Sequence, residues 1–324
     1  MYQSFGEVTL RSGEKVEAGV VIGPDADWQG RVLHLLAHKP PIWQWQMEQL
    51  LTHNLGAEAR IHLLHRDGVP FSHILTIEHN GVGLLGHVWT VPEDRGQTAA
   101  SLLMGKQLAD FHARGGKAMY LSTGFDTSPY RIYSKHGYMS VEPGSGVMAL
   151  FTESRERFEA DYFAPAEGII EPFGWSDYAT ASALFTSGVP GFARCVPIHL
   201  FGRNLTEGPV LPALQKNETE GAARAVALRL ANGAVAGMSA WSEHSWPKTN
   251  LVDVFCHPNF WQKGTELLRS LKTIDCDRTV AYVEAGFAAK RAAFEGAGFE
   301  EIARLPGWLP EGEGGEKDVL VYSK

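Results

Sequence analysis

Hydrophobic positions recur along the chain at two spacings, one typical of strands and the other typical of helices. In the first half, alternating apolar residues predict strands at Ala59–His65, Phe71–His79 and Leu84–Val91. Asn80-Gly81 connects the last two strands and is a strong signal for a tight hairpin. A helix is predicted next, over Thr98–Ala113, because apolar residues recur there at helical spacing.

The remainder of the first half is predicted to consist of short elements. An apolar run at Val16–Ile22 predicts a strand near the N-terminus. After the long helix, the pattern predicts a strand at Ala118–Ser122, a helix at Ser128–His136 and strands at Tyr138–Val141 and Val147–Phe151.

The second half repeats this order of elements, which predicts a duplicated architecture. Its predicted elements are a helix around Tyr178–Phe185, strands at Ala223–Leu230, Ala234–Trp241 and Leu251–Phe255, a helix at Thr265–Lys272, a strand at Thr279–Glu284, a helix at Ala288–Gly296, and strands at Phe299–Leu305 and Val319–Tyr322. Val189–Glu220 is rich in Gly, Pro and Asn and is predicted to form a long loop. We therefore expect a first domain at residues 1–151, a linker at 152–168 and a second domain at 169–324.

The composition excludes several classes of protein. The 324 residues are 44% hydrophobic and 20% charged, which excludes disorder and fits two domains. A formal net charge of -8 argues against a nucleic-acid partner, since phosphate binding needs clustered Lys and Arg. The sequence has no signal peptide and no membrane-spanning run, so we expect a cytoplasmic protein without a membrane partner. Cys195, Cys256 and Cys276 are too few and too scattered for a disulfide framework or a zinc site, and no metal is expected.

Gly81-Val82-Gly83-Leu84-Leu85-Gly86 matches the spacing of the dinucleotide-binding fingerprint. That fingerprint functions where its glycines end a strand and begin a helix whose N-terminus meets a pyrophosphate. Here the glycines follow a hairpin turn and lead into His87-Val88-Trp89-Thr90-Val91, which is strand-like. We therefore reject a Rossmann-type site.

The loop that joins Thr90 to the long helix is more informative. All its residues from Gly96 to Ser101 are small or polar, so a ligand could approach the backbone closely. Consecutive amide groups at the positive end of a helix form a site for phosphate or pyrophosphate. The alternative is an ordinary turn in which Thr98 caps the helix.

Two linked motifs resemble those of the GNAT-superfamily N-acetyltransferases. Arg95-Gly96-Gln97-Thr98-Ala99-Ala100 resembles the acyl-CoA loop of the family, Arg/Gln-x-x-Gly-x-Gly/Ala, with Thr98 in place of the inner Gly. Ile132-Tyr133-Ser134-Lys135-His136-Gly137-Tyr138 resembles its Leu-Tyr-x-Lys-x-Gly-Phe helix end, and Asp126 stands where the family has Asn. The resemblance implies an α/β fold (an α+β mixed sheet) with two tandem GNAT-like domains. Each would be a mostly antiparallel central sheet flanked by helices.

The resemblance also implies a co-substrate, acetyl-CoA or another short acyl-CoA. The pantetheine arm would pair with the strand at Val88–Thr90, and the pyrophosphate would lie on Gly96–Ser101. Tyr133 takes the position of the family's general acid, which protonates the departing CoA thiolate; the alternative is an aromatic residue that only packs. The implied cofactor-binding residues are Val88, Trp89, Thr90, Arg95, Gly96, Gln97, Thr98, Ala99, Ala100, Ser101 and Asp126.

An amine must lose a proton before it attacks a thioester, so a general base or a chain of waters is required. His87 is the candidate, although strict alternation places it opposite Leu84, on whose face the family's bases would be expected. A β-bulge in this strand would reverse that placement. His73 and Glu78, on the neighbouring strand, are further candidates.

The second half resembles the same family more faintly. Phe294 stands where the first half has its candidate acid Tyr, and Glu266 stands near the position of a small residue that would face phosphate. A carboxylate there repels phosphate. We therefore expect a degenerate GNAT-like domain that has lost cofactor binding and acid chemistry.

The expected function is an acyl-CoA-dependent N-acyltransferase that transfers an acetyl group directly to a primary amine of a small molecule. The partner is then that amine, and a homodimer is left open. Two alternatives are a non-catalytic acyl-CoA-binding or sensor protein, and acyl-CoA thioester transfer or decarboxylation. A catalytic base on the strand face would favour the transferase.

Overall fold

The structure is a computed structural model that describes residues 1–220, 223–272, 276–311 and 315–324. It divides into two compact units, Met1–Phe158 and Glu159–Lys324. Each unit has a mixed, mostly antiparallel sheet with helices packed against it, which confirms the predicted fold class.

The first unit, described in full over residues 1–158, contains one sheet of eight strands. Its strands are β1 (Tyr2–Thr9), β2 (Lys15–Ile22), β3 (Glu58–Arg66), β4 (Val69–His79), β5 (Val82–Thr90), β6 (Ala118–Ser122), β7 (Met139–Ser140) and β8 (Val147–Phe151). They follow the order β1-β2-β3-β4-β5-β6-β8-β7, and only β5 and β6 are parallel. Its helices are α1 (Ala26–Leu33), α2 (Pro41–Thr52), α3 (Ala99–Ala113), α4 (Ser128–Lys135) and α5 (Arg155–Tyr162), which crosses the division between the units. Residues 34–36 and 92–94 form short 3-10 helices.

The pairing between β5 and β6 is short. Only Val82–Leu84 pairs with Ala118–Tyr120, whereas β5 continues to pair with β4 as far as Thr90. The two parallel strands therefore separate after Leu84. Within residues 1–158, no other strand takes the edge of β5 that β6 leaves.

Helix α3 fixes the position of the loop that precedes it by packing on the sheet. Its residues Leu103, Met104 and Phe111 are buried in one cluster with Leu85 of β5 and Met119 of β6. Burial of each such side chain contributes about 1.5–3 kcal/mol. This is the apolar face that the sequence pattern predicts for the helix.

The second unit repeats this arrangement in its described residues. Its strands are β9 (Gly168–Pro172), β10 (Ala193–Cys195), β11 (Leu200–Phe201), β12 (Ala225–Leu230), β13 (Val235–Glu243), β14 (Thr249–Cys256), β15 (Arg278–Glu284), β16 (Glu300–Glu311) and β17 (Gly315–Ser323). The larger sheet has the order β16-β17-β15-β14-β13-β12-β9, while β10 and β11 form a separate pair. Its helices are α6 (Trp175–Thr180), α7 (Ser182–Thr186), α8 (Glu207–Glu220), α9 (Gly264–Ser270) and α10 (Ala288–Gly296), with 3-10 helices at residues 196–198 and 258–263. The parallel pair, β14 with β15, is again short: Thr249–Leu251 faces Arg278–Val280.

The prediction of a continuous loop over Val189–Glu220 is wrong, because the segment contains β10, β11 and α8. Val210, Leu211 and Leu214 recur at helical spacing and are buried, and this apolar face outweighs the helix-breaking residues. Pro212 is the sixth residue of α8, so its missing N–H removes one intrahelical hydrogen bond, to the carbonyl of Gly208.

Strand β1 is also absent from the prediction. Most of its residues are exposed at the edge of the sheet, so its sequence lacks the apolar alternation that burial imposes. The segment 81–86, which has the spacing of the dinucleotide fingerprint, leads into β5 and not into a helix. This agrees with the rejection of a Rossmann-type site.

Candidate functional site

A cleft of about 730 Å³ lies in the first unit, beside the part of β5 that β6 has left. The end of β5, the loop after it, the first turn of α3 and helix α4 line this cleft. The lining residues are Val88, Trp89, Thr90, Asp94, Arg95, Gly96, Thr98, Ala99, Ala100, Ser101, Ser128, Pro129, Ile132, Tyr133 and Lys135.

Nine of the eleven cofactor-binding residues predicted from the sequence line the cleft, and so does Tyr133. Gln97 and Asp126 do not. The side chain of Gln97 turns towards the β1–β2 connection, where its Oε1 accepts a hydrogen bond from the amide of Ser12 at 3.0 Å. Asp126 is exposed and forms an ion pair with Arg131 at 3.1 Å.

The first turn of α3 presents unused amide groups. Thr98 occupies the N-cap position, but its side chain does not cap the helix, because its hydroxyl donates to the carbonyl of Gln97. The amides of Ala99, Ala100 and Ser101 therefore have no hydrogen-bond acceptor within residues 1–158. They lie at the positive end of a helix of 15 residues, so the geometry suits an anion rather than a capped turn.

Thr98 adopts a left-handed backbone conformation, with φ 63°. The family's loop has Gly at this position, and Gly reaches positive φ without the steric penalty that a β-branched residue suffers. Gly96 also has positive φ, at 77°, and a Cβ there would have no neighbour within 4 Å. Thr98 therefore carries backbone strain beside the unused amides.

Charged side chains surround the loop on both sides. Arg95 lies over the ring of Trp89, 4.4 Å from its centroid, and its Nε donates to the carbonyl of Thr90 at 3.1 Å. Lys135 lines the opposite wall, on α4. Both cations suit a phosphate ligand.

Asp94 is the only carboxylate among the residues that line the cleft. Arg66 contacts both of its oxygens, at 2.7 and 3.0 Å, and also binds Glu14. The hydrogen bonds from Arg66 hold the pKa of the Asp94 carboxyl below its usual range. The negative charge of Asp94 is thus compensated where an anion would approach.

Tyr133 is held in place by the local structure of α4. Thr127 caps the helix by accepting a hydrogen bond from the amide of Tyr130, and Pro129 lies in the first turn. The ring of Tyr133 is 7% exposed, lines the cleft and makes an edge contact with Tyr138, with centroids 6.1 Å apart.

A hydrogen bond joins the two helices that line the cleft. Ser101 Oγ lies 3.1 Å from Nε2 of His136, which follows α4 directly. Burial lowers the pKa of His136, which favours its neutral form. The motif around Tyr133 contains His136 at a variable position, so no signal along the chain points to this contact.

His87 does not line the cleft, and its placement follows the β-bulge alternative and not strict alternation. The β4–β5 register shifts between His73 and Leu75, and His87 has a left-handed backbone with φ 51°. This bulge places both Leu85 and Val88 on the α3 side of the sheet. Strict alternation for His87 is therefore wrong, and its side chain faces α2 instead.

The imidazole of His87 is enclosed by residues of α2. Its Nε2 lies 2.8 Å from Oε1 of Gln46, and its ring makes an edge contact with Trp43, with centroids 5.0 Å apart. Burial, together with the charges of Lys39 and His38, lowers the pKa of His87 to about 3. The ring is neutral at physiological pH, which makes it a hydrogen-bond acceptor but a weak base.

The other candidate bases are not arranged for proton transfer. His73 is completely buried, and neither ring nitrogen has a hydrogen-bond partner in the described chain. Burial, with nearby cationic groups, lowers its pKa to about 3. Glu78 accepts hydrogen bonds from Thr76 and Arg114, in a network that joins β4 to α3.

In the second unit, a segment of the chain binds side chains of the two corresponding strands. Glu284, at the end of β15, accepts hydrogen bonds from the amides of Phe192 and Ala193. Asp253 of β14 accepts one from the amide of Val196 at 2.9 Å. Residues 192–196 therefore bridge β14 and β15 beyond the point where these strands separate.

This bridging segment is fixed by buried charges. Lys290 and Asp253 form a fully buried ion pair at 2.7 Å, and Lys290 also donates to the carbonyl of Ala193. Arg194 is buried and donates to the carbonyl oxygens of five residues between 184 and 191. Removing one partner of such a network would leave a buried charge uncompensated, which costs about 3–5 kcal/mol.

Glu266 and Phe294 are the two residues that predicted a degenerate second unit. Glu266 lies in the first turn of α9 and pairs with Lys263 at 2.7 Å. Phe294 is completely buried against Phe299 and Tyr322.

Two further kinds of feature do not occur in the described residues. They contain no group of three or more His, Cys, Asp and Glu side chains placed to hold a metal ion. Among the same residues, no helix combines the length and the apolar character needed to cross a bilayer.

No protein-family model and no curated protein matches the chain. Solved structures do. One is yncA from Salmonella typhimurium, described as an acetyltransferase with its cofactor acetyl-CoA, which shares 19% identity over 49% of this chain and 94% of its own, with a TM-score of 0.40.

Two other solved structures give similar values. The ribosomal-protein-alanine N-acetyltransferase from Brucella melitensis shares 18% identity over 48% of this chain and 98% of its own, with a TM-score of 0.39. An N-acetyltransferase from Staphylococcus aureus Mu50 shares 15% identity over 49% of this chain and 98% of its own, with a TM-score of 0.40. All three are described as acetyltransferases, and at these identities the likeness concerns the fold alone.

Replacing Thr98 with Gly should stabilise the protein. Gly removes the cost of a left-handed β-branched residue, and after allowance for the greater freedom of the unfolded chain we expect a gain of about 0.5–1 kcal/mol. Urea unfolding would measure it. Thr127→Gly is the matched control: Thr127 is an N-cap residue with φ -75°, so its loss should destabilise the protein by a few tenths of a kcal/mol. Shifts of the same sign in both variants would contradict the assignment of strain to Thr98.

The buried neutral His73 should make the protein sensitive to acid. Its pKa is about 3 when folded, against an ordinary value of 6.5, so between these values the unfolded chain binds the extra proton and stability falls as pH falls. At pH 5 the loss is roughly 2 kcal/mol for this residue. His73→Leu should therefore show a smaller decrease in unfolding free energy between pH 7 and pH 5, measured with urea. An unchanged decrease would show that His73 is not held neutral.

Proposed function

We propose that the chain is an acyl-CoA-dependent N-acyltransferase, acting with acetyl-CoA on a primary amine of a small molecule by direct transfer. The observation that carries this proposal is one cleft that joins unused helix amides to the hydroxyl-bearing ring of Tyr133. The first unit would hold the active site, and the second would bind no cofactor.

The residues of the cleft fit the chemical groups of CoA. The pyrophosphate would accept hydrogen bonds from the amides of Ala99, Ala100 and Ser101, where the small side chains leave room. The pantetheine arm has amide groups that suit the backbone edge of β5 at Val88–Thr90, which β6 leaves unpaired. Arg95 and Lys135 would balance the phosphate charge.

The transfer itself requires a neutral amine. Its nitrogen attacks the thioester carbonyl, the C–N bond forms and the C–S bond breaks, and the electron pair of that bond moves to sulfur. The hydroxyl of Tyr133 would donate a proton to this departing thiolate. The amine's own proton passes to water, because His87, with a pKa of about 3, holds a proton too weakly to retain it.

A thiol-release assay with a panel of acyl-CoAs and primary amines tests the proposal. Amine-dependent release of CoA, with the acylated amine identified by mass spectrometry, is the expected result. Binding of acyl-CoA without release under any condition would instead indicate a binding or sensor protein. Release without an acylated amine would indicate thioester transfer or decarboxylation.

Replacing Ala100 with Glu should abolish acyl-CoA binding, because a carboxylate would stand where the pyrophosphate lies. Calorimetric titration should give one CoA per unmodified chain, since residues 192–196 hydrogen-bond side chains of the two corresponding strands in the second unit. Ala109→Glu, at an exposed position further along α3, is the matched control and should bind CoA normally. Unchanged affinity in a folded Ala100→Glu variant, or two CoA per chain, would contradict the assignment.

Replacing Tyr133 with Phe should lower kcat by about 10²–10⁴-fold, the usual contribution of general acid catalysis. CoA affinity should change little, since the ring is retained. Tyr130→Phe is the control: Tyr130 lies on the same helix, bonds Ser140 at 2.9 Å and does not line the cleft. Equal kcat values for the two variants, in an assay limited by the chemical step, would reduce Tyr133 to a packing residue.

A further inference from the structure

A hydrogen bond beside the cleft plays no part in the proposed reaction. Nε2 of His136 lies 3.1 Å from Oγ of Ser101, and Ser101 lines the cleft in the first turn of α3. The ring of His136 packs against the next turn of α3, where a Cβ on Gly105 would lie 3.9 Å from its Cε1. The amide of Ser101 is one of the three that would bind the pyrophosphate, so the hydroxyl of this residue belongs to the same site.

The Ser101 hydroxyl has a single proton, so it can donate to only one acceptor. When Nε2 of His136 is bare, the hydroxyl donates to it and presents only lone pairs to a phosphate. When Nε2 carries a proton, the ring donates to Oγ, and the hydroxyl proton is free for a phosphate oxygen. The protonation of His136 therefore decides whether the side chain of Ser101 can bind an anion.

The surroundings of His136 leave its ring without a compensating negative charge. The largest influence on the pKa of His136 is burial, which lowers it; a hydrogen bond with the backbone of Ser101 opposes this shift, and the charge of Lys135 adds to it. Lys106 of α3 is turned away and donates to the carbonyl of Phe5 at 3.1 Å. No carboxylate is among the groups of residues 1–158 that act on the ring. Of the ring forms with Nε2 protonated, the doubly protonated one is the form that a pyrophosphate in the cleft would favour, because opposite charges attract.

We propose that His136 is a positioning residue for the pyrophosphate of acyl-CoA: its protonated ring donates from Nε2 to Ser101 Oγ and directs the serine hydroxyl at a phosphate oxygen, so that ligand binding takes up a proton from water. This inference rests on the proposed function. The complex then binds more protons than the free protein does. Affinity should therefore rise as pH falls, between the pKa of His136 in the complex and its lower pKa in the free protein.

Calorimetry can count this proton without any turnover. The probe is acetyl-dephospho-CoA, because the 3′-phosphate that it lacks titrates at about pH 6 and would mask the signal of His136. Titrations from pH 5.5 to 7.5, each in two buffers of different ionisation enthalpy, should show uptake of up to one proton per bound ligand. In His136→Gln, which keeps a donor for Ser101 but does not titrate, the uptake should disappear.

His112→Gln is the matched control, because His112 is an exposed histidine in the last turn of α3, outside the cleft. Its proton uptake should equal that of the unmodified protein. No uptake by the unmodified protein, or the same uptake in His136→Gln, would overturn the proposal.

A second pair of variants tests the path through the serine hydroxyl. His136→Gln and His136→Leu both lack the charge, but only the glutamine can donate to Ser101 Oγ. We expect His136→Leu to bind acetyl-dephospho-CoA about fivefold more weakly than His136→Gln, the effect of one hydrogen bond. When Ser101→Ala is added to each, the two affinities should become equal. Equal affinities with Ser101 present, or a difference that persists in Ser101→Ala, would contradict the positioning role.

These outcomes separate this inference from the proposed function. Binding without proton uptake would refute the role of His136 while acyl transfer stands. Proton uptake without any acylated amine would refute the transferase and leave His136 its role. If acetyl-CoA binds but acetyl-dephospho-CoA does not, the pyrophosphate is not the group that the site holds, and the role of His136 fails. If neither ligand binds, both proposals fail.

Discussion

The short pairing of the two parallel strands is the constraint on which both units depend. Each sheet holds its parallel strands together for three residue pairs and then lets them separate. Unpaired backbone at such a gap must find hydrogen-bond partners, because a buried amide without one costs about 1–3 kcal/mol. The first unit has an open cleft beside its gap, whereas in the second unit residues 192–196 hydrogen-bond side chains of both strands.

The electrostatics of the cleft follow from the same gap. Helix α3 begins where β5 ends, so its positive end and its unused amides face the open space. Asp94 would oppose an anion there, but Arg66 binds both of its oxygens. In the second unit, Lys290 and Asp253 form a buried ion pair, and both also hydrogen-bond the backbone of residues 193 and 196.

Local sequence signals predicted much of the fold and part of the candidate site. Strand β6 and strand β8 have the predicted bounds, and the small residues from Gly96 to Ser101 lie where a ligand could reach the backbone. These features depend on neighbouring residues, so a pattern along the chain reveals them. The capping alternative for Thr98 could not be resolved in this way, since a threonine at that position is compatible with either geometry.

Features that depend on tertiary contacts could not be predicted. A bulge at His87 was one of two alternatives, and the sequence of the strand, which alternates normally, could not decide between them. Gln46 lies 41 residues earlier in the chain, and no spacing rule links it to His87. Gln97 belongs to the motif by sequence, yet its side chain bonds the amide of Ser12, because the β1–β2 connection packs beside the loop.

The bridging segment of the second unit has a consequence for how the chain responds to its surroundings. A ligand stabilises only the folded state that binds it, and the effect grows with the logarithm of ligand concentration. An acyl-CoA bound in the open cleft, as we propose, would stabilise the first unit in this way, whereas residues 192–196 of the second unit belong to its own covalent chain. Residues 192–196 act at a fixed effective concentration that dilution cannot lower. The free energy of unfolding of the first unit would then rise with the concentration of its ligand, while the contacts of residues 192–196 would not depend on it.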